Sequence, residues 1–152
     1  MFRVRRLAIV SSIAALVACH PKPVAPIGTS IETATFDSTL HVDLKASTRM
    51  PSGMYYRDLV AGNGPAVASG QQLSVTYIGW LTNGEKFDAG SYAFRLGAGS
   101  VIPGWDQGLV GMRVGGTRQL IIPSALAYGD AGQGKIPPHA VLVFNVDLTE
   151  AH

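Results

Sequence analysis

The 152-residue chain contains a single cysteine, so it can form neither an internal disulfide nor a cysteine-based structural zinc site. Charged residues are also scarce, at 14% of the chain against the ~25% usual in soluble proteins. Such sparse charge argues against a nucleic-acid binder, which depends on many phosphate contacts. Hydrophobic residues reach 47%, which argues against disorder, and the length accommodates one domain with a real core.

The N-terminus has a short cationic segment followed by an apolar one. Arg3, Arg5 and Arg6 precede a nearly unbroken apolar run over residues 7–18. This order is typical of a secretory signal peptide, and twelve helical residues rise only about 18 Å, too short to span a membrane. A buried helix is the alternative, but the run has no amphipathic period. We therefore expect residues 1–18 to be a signal peptide.

The only cysteine, Cys19, directly follows that apolar run. Leu16-Val17-Ala18-Cys19 resembles the lipobox of bacterial lipoproteins, in which the cysteine is acylated (palmitate among the acyl groups) and becomes the new N-terminus. The resemblance implies an exported lipoprotein of the bacterial cell envelope, on the outer membrane or the periplasmic face. A buried cysteine after an ordinary signal is the other interpretation. Loss of residues 1–18 removes three arginines and leaves nine basic against ten acidic residues.

The composition changes again after Cys19. Three prolines within residues 20–26 predict a stiff, extended tether, and we assign residues 19–49 to the lipidated cysteine and this tether. Within that segment, the weak alternation of His41–Leu44 predicts an edge strand. Residues 50–152 carry stronger signals and form the predicted domain.

Residues 50–152 predict several strands and one short helix. Asn83-Gly84 predicts a tight hairpin turn, and a helix is expected to begin at Pro103, with Trp105, Leu109 and Met112 at helical spacing. Strands are expected at Met54–Val60, Leu73–Trp80, Lys86–Asp88, Ala93–Leu96, Thr117–Ile122 and Val141–Leu148. The order of elements indicates an α+β domain with an antiparallel sheet.

Two kinds of chemistry lack the residues that they need. Residues 129–135 have the spacing of a phosphate-binding loop, but Ile136 stands where Ser or Thr would bind magnesium, and Pro137-Pro138 prevents a helix from starting. For hydrolysis, His139 is a lone loop histidine, and neither a G-x-S-x-G nor an H-E-x-x-H motif is present. We expect no metal, no cofactor and no nucleic-acid partner.

A set of aromatic and aliphatic residues lies near predicted turns: Tyr77, Phe87, Val101, Ile102, Trp105, Tyr128, Ile136 and Phe144. Core packing is the simpler explanation, above all for Val101 and Phe144. Three details favour a pocket instead. Asp88 follows Phe87 at a strand end, Tyr128 closes a turn before a loop, and Ile136 lies within that loop, where an apolar residue has no core to join unless the loop covers a pocket.

The motifs that contain these residues resemble the FKBP-type peptidyl-prolyl cis/trans isomerases. They occupy residues 77–79, 84–88, 101–105, 127–129, 136–140 and 142–144, in that order. The resemblance implies a twisted antiparallel sheet wrapped around one short helix. It also implies a rotamase that assists the folding of exported proteins by non-covalent catalysis in an aromatic-lined pocket.

The resemblance further assigns a catalytic role to four residues. Trp105 would form the pocket floor at the start of the helix. The amide of Ile102 and the hydroxyl of Tyr128 would hydrogen-bond carbonyls of a substrate or a macrolide inhibitor. Asp88 would supply an acceptor on the opposite wall.

Five more residues are implied to bind substrate. Tyr77, Phe87 and Phe144 would form the aromatic walls, Val101 would line the rim, and Ile136 would cap the site from a flap. The implied substrates are proline-containing polypeptides, and the protein is expected to be a monomer that reaches the membrane through its N-terminal lipid.

The chain departs from the family pattern in two places. Only Ala89–Ala93 separates Asp88 from Phe94, so a bulged loop common in the family is cut short, and Tyr92 replaces an aromatic residue usual there. The flap before Ile136 is about one residue shorter. Two other functions stay open: a membrane-anchored chaperone or binding module with little turnover, and a structural envelope lipoprotein with a vestigial pocket.

Overall fold

A computed structural model describes residues 30–152, so the expectations for the signal peptide, for Cys19 and for the proline-rich segment lie outside the described residues. Single 3-10 turns occur at Ile31–Thr33, Ser38–Leu40 and Ser124–Leu126. The main elements are β1 (Thr48–Arg49), β2 (Tyr55–Val60), β3 (Gln72–Leu81), β4 (Lys86–Arg95), α1 (Pro103–Gly108), β5 (Thr117–Ile122) and β6 (Leu142–Ala151). No helix within residues 30–152 is long and apolar enough to cross a membrane.

The six strands form one antiparallel sheet in the order β1-β2-β5-β6-β3-β4. The long strands β3 and β6 pair side by side near its centre, and β4 lies at one edge. Among residues 30–152, α1 is the single α-helix, and it packs against β5. These features confirm the predicted α+β class, with an antiparallel sheet and one short helix.

The prediction of two separate strands at Lys86–Asp88 and Ala93–Leu96 was wrong. Strand β4 runs unbroken, and its register against β3 is constant from Asp88 opposite Gly79 to Arg95 opposite Gln72. The five residues between Asp88 and Phe94 span about 17 Å when extended, so they continue the ladder without looping out of it.

The predicted edge strand at His41–Leu44 was also wrong. The short strand that pairs with β2 is Thr48–Arg49 instead. The carboxylate of Asp43 accepts hydrogen bonds from the amides of Lys45 and Ala46 at 3.0 and 3.2 Å, which turns the chain there and leaves it no extended partner.

The main core lies between α1 and one face of the sheet, called the inner face below. Two glycines of α1 allow the helix to approach this face closely. A Cβ at Gly104 would lie 2.5 Å from Ile122 Cγ2, and one at Gly108 would lie 2.6 Å from Met54 Cε. Glycine is a poor helix former, so α1 is stabilised mainly by this packing.

A buried arginine, Arg118 on β5, joins the C-terminal end of α1 to the sheet. Its guanidinium donates to the carbonyls of Gly108 (3.0 Å) and Val110 (3.1 Å), which have no partner further along the helix. It also forms a two-pronged ion pair with Asp58 at 2.5 and 3.0 Å and lies over the ring of Tyr56. Arg118 therefore fixes the far end of the helix whose start carries Trp105.

The other face of the sheet, the outer face, is covered by residues 30–49. Ile31 (1% exposed) and Leu40 are buried there, and their partners on the sheet are Tyr55, Ile121, Val141 and Val143. Residues 19–49 were predicted to be the lipidated cysteine and an extended tether. The described part of that segment is packed, so the folded unit begins upstream of residue 50.

Three polar contacts hold this covering segment in place. The buried amide of Gln119 donates to the Leu40 carbonyl at 2.9 Å, and the amide of Asp37 donates to the Thr82 carbonyl at 2.7 Å. The third contact is Glu32, whose carboxylate accepts from the Tyr55 hydroxyl and from Arg49. Hydrogen bonds from the neighbouring serine, from Tyr55 and from Arg49 lower the pKa of Glu32 to about 2.

Candidate functional site

A cavity of about 210 Å³ opens between the start of α1, the edge strand β4 and the inner face of the sheet. Eight of the nine site residues predicted within the domain line it, and Ile136 does not. The lining residues are Tyr77, Phe87, Asp88, Tyr92, Ser100, Val101, Ile102, Trp105, Tyr128 and Phe144. Residues far apart along the chain thus meet in one concave site.

Four aromatic rings form a connected floor and wall. The Trp105 ring, 5% exposed, meets Tyr77 at a centroid distance of 5.0 Å and Phe144 at 5.5 Å, both edge to face. Phe87 meets Phe144 edge to face at 5.4 Å. Edge-to-face contacts are the favoured geometry of aromatic pairs, so the rings support one another in fixed positions.

Gly79 on β3 makes room for this arrangement. A Cβ at this position would lie 2.6 Å from Phe87 Cζ and 2.8 Å from Phe144 Cε1, closer than side-chain atoms approach in folded proteins. The two rings therefore lie over the backbone of β3, and any larger residue at position 79 would push them toward the cavity.

The polar side of the cavity is built around Asp88 on β4. Its Oδ2 accepts a 2.7 Å hydrogen bond from the Tyr77 hydroxyl, and its Oδ1 accepts from the Ala89 amide at 2.9 Å. Burial, assisted by the hydrogen bond to Asp88, raises the pKa of Tyr77 to about 12. Tyr77 therefore stays a hydrogen-bond donor at any physiological pH.

Tyr128 lines the other side of the cavity, just after the 3-10 turn at Ser124–Leu126. Burial raises the pKa of its hydroxyl, and the negative charge of Asp88 adds to the effect. The hydroxyl is therefore also protonated at neutral pH, and it can donate to a carbonyl bound in the cavity.

The rim at Val101 and Ile102 is held by Asp106 in the first turn of α1. The two carboxylate oxygens of Asp106 accept from the amides of Gly97 (2.8 Å) and Gly99 (3.0 Å). The Ile102 carbonyl begins the helix by accepting from the Trp105 amide at 2.9 Å. Asp106 thus connects the loop that leads to Val101 and Ile102 with helix α1, which carries Trp105 at the cavity floor.

Ile136 is buried in the main core, at 8% exposure, and does not line the cavity. Its loop is tightly folded because Gln133 and Ile136 exchange backbone hydrogen bonds at 2.9 and 2.8 Å. His139 reinforces the loop through its Nδ1, 3.0 Å from Asp130 Oδ1. The prediction that Ile136 caps the cavity was wrong, because its side chain packs in the core.

The chain matches a known protein family over most of the region that forms this fold. Residues 64–149, more than half of the chain, match the family model of the FKBP-type peptidyl-prolyl cis-trans isomerases. The chain belongs to this family. The matched range contains all ten residues that line the cavity.

Curated FKBP relatives come from bacteria and eukaryotes. The chain is 50% identical over 106 residues to the FK506-binding protein of Streptomyces anulatus, a match that covers 64% of this chain and 86% of the relative. It is 44% identical over 106 residues to that of Neisseria meningitidis, covering 66% and 97%. Other relatives are longer: the chain spans 28% of FK506-binding protein 4 of Dictyostelium discoideum and 34% of that of Mycosarcoma maydis.

Solved FKBP structures confirm the fold. The structure of AtFKBP13 superposes with a TM-score of 0.66 at 39% identity, covering 70% of this chain and 98% of that one. FkpA from Escherichia coli gives a TM-score of 0.65 at 38% identity, covering 70% and 52%.

Four features of this FKBP site were not assigned a role from the sequence. Tyr92 and Ser100 line the cavity, Gly79 leaves space for two aromatic rings, and Asp106 holds the rim. Tyr92 was noted only as the replacement of a family aromatic residue, and its spacing of four residues from Asp88, on the same strand face, could also have placed it at the cavity. Gly79 makes room for Phe87 and Phe144, and Asp106 accepts from the amides of Gly97 and Gly99, and no local motif predicts either contact.

Proposed function

We propose that this protein catalyses the cis–trans isomerisation of X-Pro peptide bonds and so assists the folding of exported polypeptides. The observation that carries the proposal is the aromatic cavity, floored by Trp105 and flanked by two protonated tyrosines, in a chain of the FKBP family. Family and fold both support isomerase function.

The reaction is a rotation and requires no bond-breaking group. Its barrier, ~18–20 kcal/mol, arises because the planar amide must lose its resonance. A planar amide is more polar than the twisted transition state, so an apolar, water-poor cavity destabilises the ground state relative to the transition state. Four edge-to-face rings provide that apolar surface.

Some cavity residues would hold the proline ring, and others would fix the peptide groups on either side of it. The proline ring would lie on Trp105 between Tyr77, Phe87 and Phe144. The Ile102 amide and the Tyr128 hydroxyl would hold the flanking carbonyls. Asp88 accepts a hydrogen bond from the Tyr77 hydroxyl and so keeps that wall in position, and it would supply an acceptor on the wall opposite Tyr128.

A proline-isomerisation assay tests this function. The purified chain should accelerate isomerisation of a four-residue proline peptide, and a macrolide such as tacrolimus should inhibit it. A macrolide that binds without any acceleration of isomerisation would favour the anchored chaperone or binding module. Absence of both macrolide binding and turnover would favour a structural lipoprotein with a vestigial pocket.

We further propose that the protein is an exported, monomeric lipoprotein, acylated at Cys19 after removal of residues 1–18. The support is the order of Arg3–Arg6, the apolar run and the lone cysteine. Cys19→Ala should move the protein from the membrane to the soluble fraction and abolish palmitate labelling. Unchanged fractionation and no label in the parent chain would contradict the anchor.

A further inference from the structure

The free edge of strand β4 adjoins the cavity, and its stretch from Ala89 to Phe94 lacks the usual protection of an edge strand. Natural edges are short, bulged, or guarded by lysine and proline, because unpaired backbone groups attract another strand. β4 has ten residues, its register is uninterrupted from Asp88 to Arg95, and it carries neither charge nor proline from Ala89 to Phe94.

The hydrogen-bonding pattern shows which residues face this free edge. Leu96, the residue after β4, donates its amide to the Gln71 carbonyl and accepts at its carbonyl from the Gly70 amide, so both groups point toward the segment that leads into β3. Because alternate residues of a strand point the same way, Ala93 and Ser91 direct their amide and carbonyl groups outward.

A second contact confirms this alternation. Ala89, two residues before Ser91, should also direct its amide away from β3, and that amide is bound by the Asp88 side chain at 2.9 Å. Within the described residues β4 pairs only with β3, so the outward groups of Ser91 and Ala93 remain available. The side chains at positions 89, 91 and 93 are small and exposed.

The same strand also forms part of the cavity wall. Asp88 and Tyr92 line the cavity, and Tyr92 lies between the outward-facing Ser91 and Ala93. An extended chain advances about 3.3 Å per residue, so a polypeptide leaving the cavity past these side chains reaches the free edge within a few residues.

We propose that β4 binds an extended, uncharged segment of the client polypeptide as an additional strand, while the proline of that polypeptide occupies the cavity. This inference rests on the proposed isomerase function and adds a second, backbone-mediated subsite to it. Main-chain pairing would give affinity without sequence preference, which suits a protein that acts on unfolded chains. The small side chains at the edge leave room for residues of any size.

Ala93→Pro tests the subsite, because it removes an outward amide while the ladder to β3 keeps its hydrogen bonds. The measured quantity is the ratio of kcat/KM for a long proline peptide with uncharged flanks of about six residues to that for its four-residue core. Two or three added hydrogen bonds should make this ratio about tenfold in the parent chain. Ala93→Pro should lower it to about twofold or less, whereas Ala93→Ser, which keeps the amide, should preserve it.

Peptide backbone methylation gives an independent test on the unaltered protein. Methylating successive flank amides one at a time should weaken binding at every second position only, since alternate residues of an added strand face β4. Uniform loss, or no loss, along the flank would overturn the proposal. So would a ratio near one in the parent chain, or a concentration-dependent dimer that Ala93→Pro abolishes, which would make the edge a self-association surface.

Failure of the proposed isomerase function would give results different from those of a failed edge subsite. Without catalysis, the four-residue core would show no turnover, while the affinity of the long peptide, measured by fluorescence anisotropy, would still report on the edge. Alternating sensitivity to methylation in that binding assay would support the subsite even then, and its absence would overturn it.

Discussion

At the scale of single residues, the shape of the cavity depends on a missing side chain as well as on the side chains and hydrogen bonds around it. Phe87 and Phe144 occupy their positions because Gly79 has no side chain. Tyr77 is held in place because its hydroxyl donates a hydrogen bond to the Asp88 carboxylate. Neither Gly79 nor Asp106 touches the volume where a proline would bind, yet both control residues that do.

Gly79→Ala should therefore impair both the cavity and the fold. Its Cβ would come within 2.8 Å of two aromatic rings, and forced repacking of this kind lowers the free energy of unfolding by about 1–3 kcal/mol. We expect kcat/KM to fall at least about tenfold, because the displaced rings narrow the cavity.

Gly90→Ala is the matched control on the neighbouring strand. An added Cβ there meets only the Tyr77 hydroxyl, at 4.0 Å, so urea unfolding and peptide turnover should both stay close to those of the parent. Equal behaviour of the two variants would contradict the account of the aromatic walls.

Alkaline pH should leave the activity intact up to about pH 10. The pKa values of Tyr77 and Tyr128 are both raised, that of Tyr77 to about 12 against an unfolded value near 10. A raised pKa means that the tyrosine contribution to stability is complete below pH 10 and is lost as pH rises toward 12. A kcat/KM that declines with an apparent pKa between 8 and 9.5, measured with the four-residue peptide, would contradict these tyrosine environments.

At the scale of elements, the short helix α1 holds its place through its partners. It has six residues, including two glycines, which is far too little for an isolated helix to be stable. Close packing on Ile122 and Leu120 and the two hydrogen bonds from Arg118 compensate for this.

Arg118→Met should lower the free energy of unfolding by about 2–4 kcal/mol, because it leaves two helix-end carbonyls and the Asp58 carboxylate without their partner. Asp58→Asn keeps a hydrogen-bond acceptor at a site that is 39% exposed, and should cost less. Urea denaturation measures both. An Arg118→Met protein as stable as the parent would show that α1 does not depend on the hydrogen bonds from Arg118.

The covering segment makes a separate prediction on the outer face of the sheet. Ile31→Ala removes a side chain that is 1% exposed and should lower the free energy of unfolding by about 2–4 kcal/mol, with kcat/KM for a short peptide unchanged. Ile78→Ala, at a site 40% exposed, is the control and should cost less than about 1 kcal/mol. Equal effects of the two would mean that residues 30–49 are not part of the folded unit.

At the scale of the whole molecule, local signals predicted most of the domain and non-local packing decided the rest. Asn83-Gly84 predicts its turn from two residues, and Pro103 predicts where the helix begins. The helical spacing of Trp105, Leu109 and Met112 predicted a longer helix than the structure has, because α1 ends at Gly108. The union of two predicted strands into β4 depends on pairing with β3, which the chain between Asp88 and Phe94 does not reveal by itself. Burial of Ile31 and Leu40 likewise depends on a sheet face assembled from distant strands.

For the candidate site, too, most residues were predicted from the sequence and packing decided the remaining ones. Eight lining residues were recognised because their motifs resemble those of a known family, and the structure brings these eight together. Ile136 was expected at the cavity because it is apolar within a loop, but a tight turn from Gln133 directs it into the core. Ser100 is a residue type common in loops, so only its position next to Val101 indicates that it lines the cavity.

The central claim is that this cavity catalyses rotation about X-Pro bonds, and Phe87→Ala tests it most directly. Phe87 lines the cavity but is only half-buried, so its loss should change the aromatic wall more than the stability of the fold. In a proline-isomerisation assay the parent chain should be active, and Phe87→Ala should lose at least about tenfold in kcat/KM while its urea midpoint changes little. An inactive parent chain, or a variant as active as the parent, would contradict the account.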